Sequence, residues 1–158
     1  MSVTAQEKYF QWQVQQDMLP VGSRLHRPGA ERRCLALLEN KEECRNLRDL
    51  THALLTCPSI SNISGSLKDI LEEFLGHKVS NDDIIKFSYN HRNKKRLKWA
   101  IWLGVKMLFM IYHSKNMNKT MALDEIQKAI TWNLRMLKNT GSHSEIKMLQ
   151  ASISKHNK

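Results

Sequence analysis

Residues 99–112 read WAIWLGVKMLFMIY, the longest apolar run in the chain. A membrane span needs about 20 apolar residues, and this run is shorter and carries Lys106 in its middle. It therefore predicts a buried helix, Leu97–His113, at the centre of a globular core. Helical spacing continues on both sides of it. Leu67, Ile70, Leu71, Phe74 and Leu75 make an apolar stripe, with Ser64-Gly65-Ser66 as the loop before it and Gly76 as its C-terminal cap. Ser80-x-x-Asp83 is a capping box that opens a turn carrying Ile84, Ile85 and Phe87. After a polar break at 116–120, Ile126, Ala129, Ile130, Asn133, Leu134 and Leu137 recur at three and four, and Gly141 breaks that helix. Ile146, Leu149 and Ile153 predict a short last helix before a basic tail. Near the start, Thr4-x-x-Glu7 is a further capping box, followed by a helix over 5–17 with Phe10, Val14 and Met18 on one face. Pro20, Gly22, Pro28 and Gly29 make 20–33 irregular and basic. A short helix is expected over 33–40 and a better one over 49–55, stopped by Pro58. No period-two alternation is sustained anywhere, so the expected fold is all-α, a small helical domain with an irregular N-terminal segment. Its parts are an N-terminal helix and Cys/His segment over 1–62, a helical core over 63–140, and a short helix and tail over 141–158.

All three cysteines, Cys34, Cys44 and Cys57, fall in one run with His52. An odd number of cysteines makes no complete disulfide set. With a polar N-terminus that lacks an apolar signal region, this points to a reducing compartment, cytosol or nucleus. The sequons at Asn62 and Asn118 then read as chance matches. Zn2+ takes four N/S ligands in a closed tetrahedral site, and these four residues supply one Cys3His set. His52 and Cys57 are separated by four residues, a gap that a helix end can close. Cys34 and Cys44 are separated by nine, longer than a C-x2-C knuckle. Spacing alone leaves two readings open: a metal site, or three cysteines packed as small apolar residues.

The chain carries 25 Lys and Arg against 15 Asp and Glu, a net charge of +10. This favours an anionic partner. No acidic residue occurs between Ile84 and Thr120, while Arg92, Lys94, Lys95, Arg96 and Lys98 cluster just before the central apolar run. Such a cluster is a phosphate-binding surface, a nuclear-localisation patch or a solvated helix end. Trp99, Trp102 and Tyr112 read as core rather than base-stacking residues, Trp132 equally as a packing residue, and the methionines as core filler. There is no G-x-S-x-G, Walker loop, G-x-G-x-x-G or H-E-x-x-H, and Asp82-Asp83 suit a helix start, so no enzyme is expected.

The run LPVGSRLHRPGAERRC, followed by DLTHALLTCP, resembles the region after the polymerase domain in reverse transcriptases of non-LTR (LINE-type) retrotransposons. That family shows Leu-Pro-x-x-x-Arg-Leu, then cysteines, an acidic residue and His-x4-Cys-Pro, matched here by Leu19-Pro20, Arg24-Leu25, Cys34, Cys44, Asp49, His52, Cys57 and Pro58. LKWAIWLGVKMLFMIYHSKN is similar to the family's later helical segment. The resemblance implies a zinc-binding accessory region that contacts RNA or DNA beside a reverse transcriptase polymerase domain, with Cys34, Cys44, His52 and Cys57 as ligands. Leu37 stands two residues beyond Cys34, where the family's commoner pattern has its second cysteine, so Cys44 must serve instead. There is no polymerase palm.

These features together predict a non-enzymatic, sequence-independent nucleic-acid-binding module. Arg24, Arg27, Arg32 and Arg33 form one phosphate-facing set; Arg92, Lys94, Lys95, Arg96 and Lys98 form another. The competing readings are a metal-free helical protein-interaction scaffold, an inert retroelement remnant and, less favoured, a basic helix at an anionic membrane surface.

Overall fold

The computed structural model describes residues 3–21, 33–36, 38, 40–46, 48–113, 118–136 and 143–157. Within them lie six α-helices: α1 (Ala5–Gln15), α2 (Ser61–Leu75), α3 (Asn81–Lys86), α4 (Lys94–His113), α5 (Lys119–Met136) and α6 (His143–His156). A π-helical turn, His52–Thr56, and a 3-10 turn, Pro58–Ile60, precede α2. No strand occurs among the described residues, and the fold is all-α. None of the described helices is long and apolar enough to cross a membrane.

The apolar run at 99–112 is the central helix. Trp99, Trp102, Leu103, Met107 and Leu108 of α4 are all buried, and the two indoles meet edge to face at 5.2 Å. α2 packs against both α4 and α6 through Leu67, Ile70, Leu71 and Phe74, and α5 closes on α6 through Leu123, Ile126 and Ile130. Ile146, Leu149 and Ile153 of α6 are fully buried, so one core cluster runs from Phe10 to Ile153. Gly76 ends α2 in the left-handed conformation (φ 79°), and Ser80 and Asp83 form the reciprocal capping box of α3.

Several local expectations give way to tertiary contacts. Ser64, Gly65 and Ser66 lie inside α2 rather than in a loop. The Ser64 and Ser66 hydroxyls donate to the carbonyls of Ile60 and Asn62 one turn back, which keeps both polar groups satisfied within the helix. α1 stops at Gln15, so Met18 is 57% exposed and Leu19 and Val21 are buried in its place. Exposed Met121, Met136 and Met148 likewise are not core filler, whereas Met107 is. The Thr4 hydroxyl accepts from Glu7 N–H as a cap should, but Glu7 does not reach back. Its carboxylate pairs instead with Lys106 Nζ at 2.8 and 2.9 Å, with both side chains largely buried. That pair neutralises the one charge in the apolar run and fastens α1 to α4. Phe10 adds ring contacts with Phe109 and Tyr112.

Gly104 faces the α3–α4 connection, where a Cβ would stand 2.6 Å from the Tyr89 hydroxyl. Gly104→Ala is expected to destabilise by about 1–3 kcal/mol in denaturant melts, and Tyr89→Phe in the same chain to recover most of that by removing the obstructing oxygen. Lys106→Ala should cost about 3–5 kcal/mol because it strands the Glu7 carboxylate. Replacing the pair together, Glu7→Leu with Lys106→Met, should be close to neutral in the same assay.

Candidate metal centre

The described residues between Arg33 and Asn46 form a hairpin-like arm rather than the short helix expected over 33–40; residues 37 and 39 of that expectation lie outside the described residues. Cys34 N–H donates to Asn46 C=O, Arg45 N–H to Cys34 C=O, Cys44 N–H to Ala36 C=O, and Leu38 N–H to Glu42 C=O. Two residues, Arg45 and Asn46, thus oppose Cys34 in a bulge, with Arg45 in the left-handed region at φ 62°. The Asn40 side chain accepts from Glu42 N–H and closes the turn. Helical propensity loses here because the arm's backbone groups find these cross-arm partners. The fold-back is also what brings Cys44 near Cys34 across a nine-residue gap.

The second pair of ligands depends on the π-helical turn. Residues five apart on an α-helix are rotated by about 140°, on different faces. In this chain Cys57 N–H donates to the carbonyl of His52, five residues back, and the wider turn sets the two side chains on one side. Asp49 Oδ1 accepts from His52 N–H at 2.7 Å and caps the start of the turn. Leu54 and Leu55 on the turn's other side are buried in the core.

The result is a cluster of four ligand atoms, from Cys34, Cys44, His52 and Cys57, all within 4.8 Å of one another. Cys34 Sγ and Cys57 Sγ lie 3.7 Å apart; Cys44 Sγ and His52 Nε2 lie 3.5 Å apart. A tetrahedral ion with metal–S near 2.3 Å and metal–N near 2.0 Å sets S···S edges of about 3.8 Å and S···N edges of about 3.5 Å. The two measured separations are opposite edges of such a tetrahedron. The four residues are close enough together that they could hold a metal ion.

The surroundings agree. Cys34, His52 and Cys57 are buried and Cys44 is half-buried. Burial, aided by the adjacent Cys57 thiol, pushes the Cys34 thiol up to about 11. Burial also raises the Cys44 thiol, but donation from Asn46, backbone and side chain, outweighs it and the net shift is downward. Burial lowers His52, favouring the neutral imidazole that binds metal. Three thiolates in this space repel one another, and a central cation reverses that balance. Two polar neighbours that spacing did not single out support the ligands: Asn46 Nδ2 donates to Cys44 Sγ at 3.3 Å, and Ser59 Oγ lies 3.0 Å from Cys57 Sγ. Both sit two residues after a cysteine, the one signal in the sequence that could have pointed to them.

The basic residues fall into different settings. Arg24, Arg27 and Arg32 lie outside the described residues. Arg33 is exposed beside the centre, its guanidinium donating to Arg45 C=O. Arg92, Lys94, Lys95 and Lys98 are exposed at the start of α4. Arg96 turns inward: it donates to the Phe74 carbonyl near the end of α2, stacks over the Phe74 ring at 5.5 Å and reaches Met148. Asn93 caps α4 through Lys95 N–H and Arg96 N–H, and its amide donates to the buried Glu145 at 2.8 Å. Donation from Ser144, then Asn93, holds the Glu145 carboxyl below its usual range.

Comparison with protein families, with characterised proteins and with solved structures finds no match to the chain.

Purified without an affinity tag that binds metal, the chain should carry about one ion per molecule by mass spectrometry. Cys34→Ser with His52→Ala should lose the ion and the ordered arm. Asn46→Ala should retain it with affinity about 10- to 100-fold weaker in a chelator competition.

Proposed function

We propose that the protein is a non-enzymatic nucleic-acid-binding module whose N-terminal arm is pinned by zinc. Three thiolates and one imidazole in tetrahedral spacing suit Zn2+ over the oxygen-seeking ions. Four protein ligands leave no open coordination position, the pattern of a structural site rather than a catalytic one. In this role the ion holds a polar arm that buries little apolar surface of its own.

The observation that carries the nucleic-acid reading is the start of α4. A helix N-terminus is the positive end of the dipole, where acidic residues stabilise and cations do not. α4 has no acid in its first turn and places Lys94, Lys95 and Arg96 there, flanked by Arg92 and Lys98. Arg96 and Glu145 explain how the turn is held together, while the Lys94 and Lys98 side chains stand exposed beside it. An external polyanion gives them a partner. The likeness to the accessory region of LINE-type reverse transcriptases points the same way and suggests a polymerase domain as the module's working neighbour.

The test is fluorescence anisotropy with labelled RNA and DNA across a salt series. Affinity should fall steeply with salt, at about 0.7 to 0.9 log units per log unit of salt for each phosphate contact. Lys94→Ala with Lys95→Ala and Lys98→Ala should reduce that slope by about 2 to 3 while leaving metal content unchanged. A flat salt dependence in the parent chain would overturn the proposal.

A further inference from the structure

α5 buries Ala122, Leu123, Ile126 and Ile130 against the core and turns its other face outward. On that face Trp132 is 58% exposed, although an indole is among the side chains that gain most from burial. Trp132 sits in a shallow recess with Gln127, Lys128, Thr131 and Arg135. Lys128 is four residues before it and Arg135 three after, so both cations neighbour the ring on the helix surface. Lys128 pairs with Glu125 at 3.2 Å, with both side chains more than half exposed, a contact that an incoming phosphate displaces at little cost.

The polar groups of the recess are turned to the fold. Gln127 Nε2 donates to Gln150 C=O and to Ser154 Oγ, and the Thr131 hydroxyl donates to Gln127 C=O. They offer little with which to read a base edge. What remains is a flat aromatic face with a cation on either side, the arrangement by which proteins hold single strands: bases stack on the ring and phosphates meet the cations. A duplex keeps its base faces covered and cannot use it.

We infer that Trp132 is a stacking platform for a base of single-stranded nucleic acid, with Lys128 and Arg135 as flanking phosphate contacts. This rests on nucleic-acid binding as proposed above, and it is independent of the metal centre. It adds to the α4 surface a strand preference that backbone charge alone does not supply.

The experiment uses the full chain and two labelled probes of about twelve nucleotides, an unstructured single strand and a duplex. Trp132→Ala should weaken single-strand binding about 5- to 150-fold, the loss of one stacked base, and leave duplex binding unchanged. Trp132→Phe should restore most of the affinity. In a Trp12→Phe background, single-strand addition should quench the emission of Trp132, because Trp99 and Trp102 are buried. The exposed position keeps Trp132→Ala folded, which its melting curve checks. Undiminished single-strand binding by Trp132→Ala overturns the inference but leaves the α4 reading intact. Equal losses on both probes also overturn it, since they show charge contact without stacking. A change only in the oligomer size of Trp132→Ala overturns it in favour of a protein contact. If the parent binds neither probe, the proposed function falls and this inference falls with it.

Discussion

A largely buried ion pair between helices constrains the architecture. α4 can be the central helix only if the ammonium at Lys106 is neutralised where it lies, since leaving it unpaired in the core costs several kcal/mol. Glu7 supplies the counter-charge from the opposite end of the sequence, at 2.8 Å. That one requirement recruits α1 to the core, and Phe10 and Val14 are buried as a consequence. It also explains why Glu7 abandons its local capping role: a carboxylate paired with a desolvated ammonium gains more than one bonded to a solvent-exposed amide. The other cations of the region are kept away from the buried stretch, in the first turn of α4 and the connection before it, where water reaches them.

Most of the helical framework is legible in the sequence because it obeys one period. The stripe from Leu67 to Leu75, the run at 99–112 and the recurrence from Ile126 to Ile130 each carry enough apolar side chains to dictate which face is buried. Expectation failed where a choice depended on partners distant in sequence. Ser64 and Ser66 resemble loop residues until their hydroxyls are seen to bond back within α2. The arm at 33–46 contains the helix-favouring residues of LALLENKEE, yet cross-arm pairing from Cys34 and Ala36 to Asn46 and Cys44 prevails. Trp132 falls near the margin of α5's apolar stripe, where periodicity does not decide between core and solvent.

The candidate centre shows the same division. Its four residues could be picked out as a set because their chemistry is rare and concentrated. How they meet could not, because both gaps are the wrong length for familiar geometry. A nine-residue gap between cysteines needs a hairpin with a bulge at Arg45; a four-residue gap between His52 and Cys57 needs a turn wider than an α-helix. Each is an irregular backbone state that local propensity disfavours. The two irregular segments together bring four ligand atoms within 4.8 Å of one another, with Cys34 and Cys57 at 3.7 Å and Cys44 and His52 at 3.5 Å.

The Cys/His cluster and the start of α4 differ in their electrostatics. Around the cysteines, burial holds the Cys34 thiol in its neutral form, and a bound cation is what would draw out a thiolate there. Along the start of α4 the exposed side chains are cations, set at the positive end of a helix dipole. The second arrangement costs the helix stability. Residues that oppose the local energetics of their own element are better explained by an interaction outside it. For exposed lysines at a helix N-terminus, the extended anion proposed above would turn that local penalty into binding energy.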